Sequence, residues 1–383
     1  MLDPQEFQNI ISGRRRGWGG TLWRTGFALA EWPYAIAMRL RNLAYDLGVS
    51  RISRVEVPVI SVGNLTLGGT GKTPCVAWLA RWFRERNVRV AIISRGYGAG
   101  GDSRNDEARE LEEQLPDVPH LQNPDRVAAA LLAIEEFGTQ LLILDDAYQH
   151  RRIARDLNLL IVDATDPYGS RHVFPRGMLR EPLSGASRAQ AILLTKADQV
   201  PAETRKNIAR HYQALAPHAI WCETRHQPLR LLRADGQTAD LKLLNNQSVG
   251  AICAIGNPAA FRQTLIDCHA HVRDMRIFPD HHRYTRADVE SLGDWASQLD
   301  LGTAGQGTHE MLGIAGPASS GTLVCTHKDL VKLGMTELGG KPLWALAIGL
   351  EFLSGEEELL RLLEPLVERI TASDDPYAVE DGL

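Results

Sequence analysis

A short apolar run, a glycine-rich loop and an amphipathic stretch follow one another between residues 57 and 86, and this order restricts the chain to few folds. Residues 57–62 read VPVISV; Gly63-Asn-Leu-Thr-Leu-Gly-Gly-Thr-Gly71-Lys72-Thr73 follows; beyond Pro74, apolar residues recur at Val76, Leu79, Ala80 and Phe83. A β-branched run giving way to an i, i+3, i+4, i+7 pattern predicts strand, loop and helix in that order. In such a unit the loop amides and the helix N-terminus cradle phosphate oxygens. A lysine reaches the terminal phosphates, and the adjacent hydroxyl can ligate Mg²⁺. The candidate nucleotide-binding residues are therefore Thr66, Leu67, Gly68, Gly69, Thr70, Gly71, Lys72 and Thr73. The strict form of this motif has glycine where Thr66 stands; Gly68, Gly69 and Gly71 still supply conformational freedom. Pro74 is compatible with a first helical turn.

A second run, Leu141–Leu144, ends in Asp145-Asp146. An apolar strand ending in carboxylates can hold Mg²⁺ opposite the Thr73 hydroxyl, directly or through water. Further apolar runs at 88–94, 159–164, 191–198, 249–256, 322–329 and 343–352 alternate with helical patterns around 258–271, 285–299 and 355–370. Alternation of this kind predicts an α/β fold: a mostly parallel sheet with helices on both faces. Thr195-Lys196-Ala197-Asp198 is similar to a guanine-reading loop but has Thr where Asn is needed. Residues 96–101 satisfy G-x-G-x-x-G, yet the following residues are polar, where a dinucleotide fingerprint needs an apolar helix opening at once. A glycine-rich loop carrying functional polar groups is the better reading there.

Composition sets the remaining bounds. The 383 residues are 44% apolar and 23% charged, which excludes disordered and collagen-like chains and permits two domains. The five cysteines (75, 222, 253, 268 and 325) are spread without zinc or disulfide spacing, in keeping with a reducing cytosol, and no cleavable leader is apparent. Net charge is −5, yet residues 1–54 hold eight Arg against four carboxylates. A basic, apolar end on an acidic body points to an anionic surface, membrane rather than nucleic acid, unless the arginines reflect codon usage alone, with 35 Arg to seven Lys.

Within residues 20–49 no uncharged run is long enough to span a bilayer. On a helix, Thr21, Arg24, Glu31, Arg39, Asn42 and Asp46 share one narrow stripe, and nearly everything else is apolar. Such a helix either packs in the core or lies in a membrane interface. Pro33 predicts a kink or a division into two helices. Phe278-Pro-Asp-His281-His282-Arg-Tyr284 concentrates ionisable groups before a helix and reads either as a capped loop or as a metal or proton-transfer site.

VPVISVGNLTLGGTGKTP, ISRGYG (93–98), NDEA (105–108), PDRVAAA (124–130), DDAYQH (145–150), FPRGMLREPLS (174–184), LLTKAD (193–198), AIGNPAAF (254–261), FPDHHRYT (278–285) and THKDLVKL (326–333) occur in that order. Together they resemble the tetraacyldisaccharide 4′-kinase family, the lipid A 4′-kinases of Gram-negative bacteria, over roughly residues 20–350. The resemblance implies a P-loop NTPase fold with a second, smaller α/β domain and an N-terminal amphipathic, membrane-associated helix. It implies transfer of the ATP γ-phosphate to the 4′-hydroxyl of an acylated glucosamine disaccharide 1-phosphate lipid, at the cytoplasmic face of the inner membrane. The expected divisions are 1–54 (interface helix), 55–225 (kinase domain), 226–350 (second domain) and 351–383 (C-terminal helix and tail).

The resemblance also implies roles. Lys72 stabilises the transferring phosphoryl group; Thr73, Asp145, Asp146 and Gln149 surround Mg²⁺; Asp106 is the base for the sugar hydroxyl and His281 its partner. In NDEA, Asn and Ala replace the flanking Gly and Pro of the family's segment. Arg95, Tyr97, Arg126 and Arg180 are candidates for anionic or sugar groups, since guanidinium forks match phosphate oxygens. The alternative is a related P-loop NTPase, such as a metallochaperone GTPase acting on a soluble partner.

Overall fold

The computed structural model describes residues 4–96, 106–280, 282–301 and 321–374. The chain forms two compact units, one of residues 1–99, 115–226 and 350–383, the other of residues 100–114 and 227–349.

The first unit is built on a parallel sheet of β1 (Val59–Gly63), β2 (Val90–Ser94), β3 (His120–Gln122), β4 (Leu141–Asp145), β5 (Leu157–Asp163), β6 (Ala191–Thr195) and the start of β7 (Ile220–Leu232), in the order β7-β6-β5-β1-β4-β2-β3. Every residue of β1, β2, β4 and β6 is buried, as strands covered on both faces must be. This is why they read as unbroken apolar runs. Between them stand α3 (Lys72–Arg84), α5 (Arg126–Phe137) and α6 (Ala202–Leu215). The α5 residues Ala129, Ala130 and Ala133 pack on Ala91, Ile93, Leu142 and Leu144. Its start is fixed by Asp125, which accepts from the Val127 and Ala128 amides, and its end by Gly138 in the left-handed region.

Two helices precede this sheet, α1 (Pro4–Ile11) and α2 (Trp18–Asp46). Pro33 lies inside α2, which continues as one helix of 29 residues; the expected division does not occur. Core packing is not what α2 does either: among its described residues only Gly20 is buried, while Trp18 is 96%, Leu22 76% and Leu29 71% exposed. The polar stripe is instead the side bonded to the rest of the unit. Glu31 accepts from the Val173 amide and pairs with His172 and Arg176, Tyr34 donates to the Arg180 carbonyl, and Asn42 donates to Glu181. No helix among the described residues is long and apolar enough to cross a membrane.

The second unit carries β9 (Ser248–Cys253), β10 (His271–Ile277), β11 (Thr322–Thr326) and β13 (Lys341–Ser354) in the parallel order β10-β9-β11-β13, with β12 (Glu337–Leu338) antiparallel to β13. On one face α7 (Pro258–Asp267) packs Phe261 and Leu265 on Val249, Ala251 and Val324; on the other α8 (Arg286–Gln298) packs Leu292 and Trp295 on Ile252, Leu323 and Leu343. At Gly250 a Cβ would stand 2.6 Å from the Leu299 side chain and 2.8 Å from that of Leu323, so both leucines would have to shift to admit one. The strand expected over 322–329 stops at Thr326. The Thr326 hydroxyl accepts from the Asp329 amide and starts α9 (His327–Leu333). The glycine-rich loop expected at 96–101 lies outside the described residues beyond Gly96; a helix that was not expected, α4 (Asp106–Gln114), belongs to this second unit. The polar region 199–248, read as the weak point of the chain, holds α6, β7 and the short β8 (Thr238–Ala239). The last helix is α10 (Glu356–Asp374).

Candidate active site

Parallel register sets the first unit's site. β1 pairs with β4 so that Val62 stands opposite Asp145, and β5 pairs with β6 so that Asp163 stands opposite Thr195. Four neighbouring strands therefore end at one edge, where Gly63, Asp145, Asp163 and Thr195 are delivered together. In open α/β sheets this edge, at the carboxyl ends of the strands, is where ligands bind.

From Gly63 the loop runs to the start of α3. Gly68 (φ +108°) and Gly71 (φ +83°) occupy the left-handed region, so these are the positions that need glycine. Thr66 is not among the described residues with positive φ; its methyl fills the space beside Gly169, and its backbone oxygen and hydroxyl accept from Asn64 Nδ2. The departure from the strict motif is thereby explained: nothing in the backbone at 66 requires glycine. The loop is also braced from outside, by Leu67 N to the Met178 carbonyl and Arg180 N to the Leu65 carbonyl.

The charged groups form one connected set. Lys72 Nζ lies 3.5 Å from Asp146 and 3.4 Å from Asn64 Oδ1, and Arg180 donates to both Asp146 oxygens at 2.9 Å. Burial alone would raise the Asp146 pKa, but the Lys72 and Arg180 charges overcome it and the carboxyl is held below its usual value. Asp146 also sits at φ +49°, unusual for a residue with a side chain and a mark of a constrained site. Asp145 is buried beside it. Gln149 turns its amide nitrogen to the Asn64 carbonyl and to Glu181, so its role in this structure is to brace the loop.

The residues present fit a nucleotide and Mg²⁺. A Cβ added at Gly68 or Gly69 meets nothing within 4 Å, α3 begins with no side-chain cap, and the Thr70 hydroxyl is buried with no hydrogen-bond partner among the described residues. These are features of a phosphate cradle. No cluster of three or more metal-binding side chains occurs among the described residues. Mg²⁺ takes one or two carboxylates and completes its shell with water and phosphate. Thr73, Asp145 and Asp146 are the groups at hand.

Other predicted residues fall elsewhere. Arg126 is the first residue of α5 and is buried, donating to the Asn123 and Pro124 carbonyls. His150 is pushed down to about 4, by burial first and then by Arg126, Arg155, Arg152 and Arg41. Arg95 follows the end of β2 and is exposed. Asp106 is the first residue of α4; Tyr97, Asn105 and His281 lie outside the described residues.

Several contacts of the site escaped the sequence reading. Asn64 and the fully buried Glu181 tie the loop to α2: Glu181 accepts from Asn42, Gln149 and Arg188. Lys196 pairs with Asp163, and the Thr195 hydroxyl donates to the Thr70 carbonyl at 2.7 Å. His226 Nε2 would stand 3.0 Å from a Cβ on Gly71. Glu181 lay within FPRGMLREPLS, where an acid next to proline in an otherwise basic segment was the available signal.

The family described as tetraacyldisaccharide-1-P 4′-kinase matches residues 23–303. A tetraacyldisaccharide 4′-kinase of Anaeromyxobacter sp. (strain Fw109-5) is 33% identical over 384 residues, covering 94% of this chain and 96% of that one. That of Desulfatibacillum aliphaticivorans is 36% identical over 350 residues, 85% of this chain and 88% of the relative. Among solved structures, the Aquifex aeolicus protein LpxK in complex with ATP superposes with a TM-score of 0.67 at 28% identity, covering 90% of this chain and 99% of that one.

Proposed function

The chain belongs to the tetraacyldisaccharide 4′-kinase family, and from that premise we propose how its own residues carry the ATP-dependent phosphorylation of the 4′-hydroxyl of a tetraacyldisaccharide 1-phosphate. The 4′-oxygen attacks the γ-phosphorus, the bond from that phosphorus to the β–γ bridging oxygen breaks, ADP leaves, and the hydroxyl proton passes to a base. Little covalent work falls to the protein; it has to position the reactants and offset charge on the transferring group. Lys72 and the amides of residues 66–73 do the second. Bound Mg²⁺ would add charge neutralisation, held by Asp145, Thr73 and, with less freedom, Asp146. Arg180 keeps Asp146 anionic so that Lys72 stays directed at the loop. Asp106 takes the proton and His281 tunes its basicity. Arg95 and Tyr97 bind sugar or phosphate groups of the acceptor; Arg126, buried and bonded to the Asn123 and Pro124 carbonyls, holds the start of α5 instead.

The observation that carries this reading is the Lys72–Asp146–Arg180 set beside an uncapped glycine loop at the end of β1. The acceptor's acyl chains remain in a bilayer, so we place the protein at the cytoplasmic surface of the inner membrane, with the apolar face of α2 in the interface and its polar stripe on the kinase unit. The test is transfer of labelled γ-phosphate from ATP to tetraacyldisaccharide 1-phosphate in detergent micelles. Transfer with Mg²⁺ supports the reading; no transfer by folded protein overturns it.

A further inference from the structure

The segment 326–333 was singled out in the sequence, and nothing in the reaction so far uses it. Its first turn holds two buried ionisable side chains, His327 (3% exposed) and Asp329 (0%). Burying such groups is costly unless each is fully engaged, so what they hold is informative.

Asp329 gathers three donors. Its Oδ2 accepts from the Ala254 amide at 3.1 Å and the Thr326 hydroxyl at 2.6 Å, and its Oδ1 accepts from the Tyr284 hydroxyl at 3.0 Å. Ala254 follows the end of β9 and Thr326 ends β11, so the carboxylate joins two adjacent strand ends to Tyr284. Tyr284 belongs to a ring cluster: Phe278 and His282 stack with centroids 4.8 Å apart, and Tyr284 meets Phe278 edge-on at 5.1 Å. Phe278 N donates to the Cys253 carbonyl, and His282 is 3.0 Å from Asp288. On one side of position 281 Phe278 is thus fixed to the sheet by its own amide, and on the other Tyr284 is fixed to it through the Asp329 carboxylate.

His327 turns the other way. Its Nε2 is 2.7 Å from Glu113 Oε2, and its Nδ1 is 3.5 Å from the Gln114 side-chain nitrogen and 4.0 Å from Glu110 Oε1. One tautomer serves both nitrogens, with Nε2–H donating to Glu113 and Nδ1 accepting from Gln114. Glu110, Glu113 and Gln114 lie on one face of α4, at i, i+3 and i+4. Helix α4 has nine residues, too few to be stable alone, so tertiary contacts such as these decide where it sits. Its first residue is Asp106.

We propose that the Thr326–Asp329 turn is the positioning element of the proton-transfer pair: His327 sets α4 and hence Asp106, and Asp329 sets, through Tyr284, the segment in which His281 lies. The proposal rests on the roles given to Asp106 and His281 above. His327, Asp329 and Tyr284 act through those two residues. A displacement of about 1 Å at a reacting group can cost a hundredfold in rate, which sets the scale of the effect.

The test uses the full-length protein with ATP and the disaccharide lipid in micelles. Tyr284→Phe removes one hydroxyl and Glu113→Ala one half-exposed carboxylate, so both should fold. His327→Leu removes the ring nitrogens, while His327→Gln keeps an amide donor for Glu113. Expected are losses in kcat of roughly tenfold or more for Tyr284→Phe and His327→Leu, KM for ATP within about twofold, and recovery of most of the activity in His327→Gln. Added to Asp106→Ala, His327→Leu should cost less than about twofold more; the same holds for Tyr284→Phe in His281→Ala. Wild-type kcat in both single variants, or losses that persist undiminished in the double variants, would overturn the proposal. Failure of the underlying reading has a separate signature, with Asp106→Ala itself retaining near-normal turnover.

Discussion

Lys72→Ala separates the lysine's structural part from its chemical one. The lysine nitrogen lies 3.5 Å from an Asp146 oxygen, and the two side chains are 12% and 20% exposed. At an effective dielectric constant of about 20 the gross attraction is about 5 kcal/mol, but the desolvation of both groups offsets most of it. The net value falls near the lower end for a hydrogen bond to a charged group, about 1.5 kcal/mol. Removing Lys72 does not strand Asp146, because Arg180 still donates to both oxygens. The melting temperature should therefore fall by only a few degrees. Turnover should behave differently, because Lys72 is proposed to face charge that develops only as the phosphoryl group moves. A loss of at least about a hundredfold in kcat is expected, equivalent to about 2.7 kcal/mol. The assay is phosphate transfer to the lipid in micelles at saturating ATP, alongside a thermal melt on the same preparation. A tenfold loss or less refutes the role given to Lys72. A variant that fails to fold refutes the argument that Arg180 suffices for Asp146.

Gly71→Ala would put a Cβ at φ +83° and 3.0 Å from His226 Nε2, so ATP binding by calorimetry should weaken clearly, and unchanged affinity would contradict the loop geometry. Leu22→Glu with Trp32→Glu places charge on the exposed face of α2 without touching its polar stripe; co-sedimentation with anionic vesicles should drop sharply, and undiminished binding would remove α2 from the membrane reading. Asp288 is held at about 2, first by the Thr285 amide, then by the Thr285 hydroxyl and His282. A depressed carboxyl pKa stabilises the fold above the ordinary value near 4, and that contribution is lost as pH falls towards 2. Denaturant unfolding between pH 4 and 2 should accordingly weaken more steeply in the wild type than in Asp288→Asn; equal slopes would argue against the capping role.

What could be read from the sequence follows burial. β1, β2, β4 and β6 are covered on both faces and left continuous apolar runs, and the glycine loop left its mark through Gly68 and Gly71, whose backbone admits little else. α4 was missed because it buries only a narrow face, Ala108 and Leu111 among Asp, Glu and Arg, and polar helices carry little periodic signal. β10 was missed for a related reason: as the outer strand of its sheet it has no buried residue, and HVRDMRI does not alternate. The end of β11 was misplaced because Thr326 and Asp329 stop the strand with side-chain bonds that hydropathy does not register. Glu181 acts through partners distant in sequence, Asn42 and Gln149, and no spacing rule would pair them.

α2 shows why a helix pattern alone left two readings open. An amphipathic helix on a soluble protein normally turns its apolar face inward; here Glu31, Tyr34 and Asn42 are bonded to the kinase unit, and Trp18, Leu22, Leu29 and Trp32 face away from it. Moving a large apolar side chain fully out of water is worth about 1.5–3 kcal/mol, and partial insertion of this row would together exceed the roughly 5 kcal/mol of a single myristoyl anchor. The inward polar bonds then have a second consequence. Tyr34 donates to the carbonyl of Arg180, the same residue that grips Asp146 beside Lys72. In the proposed orientation, the helix that lies in the interface is one residue removed from the phosphate site. With the helix so placed, the height of that site above the lipid headgroups would be set by hydrogen bonds within the first unit.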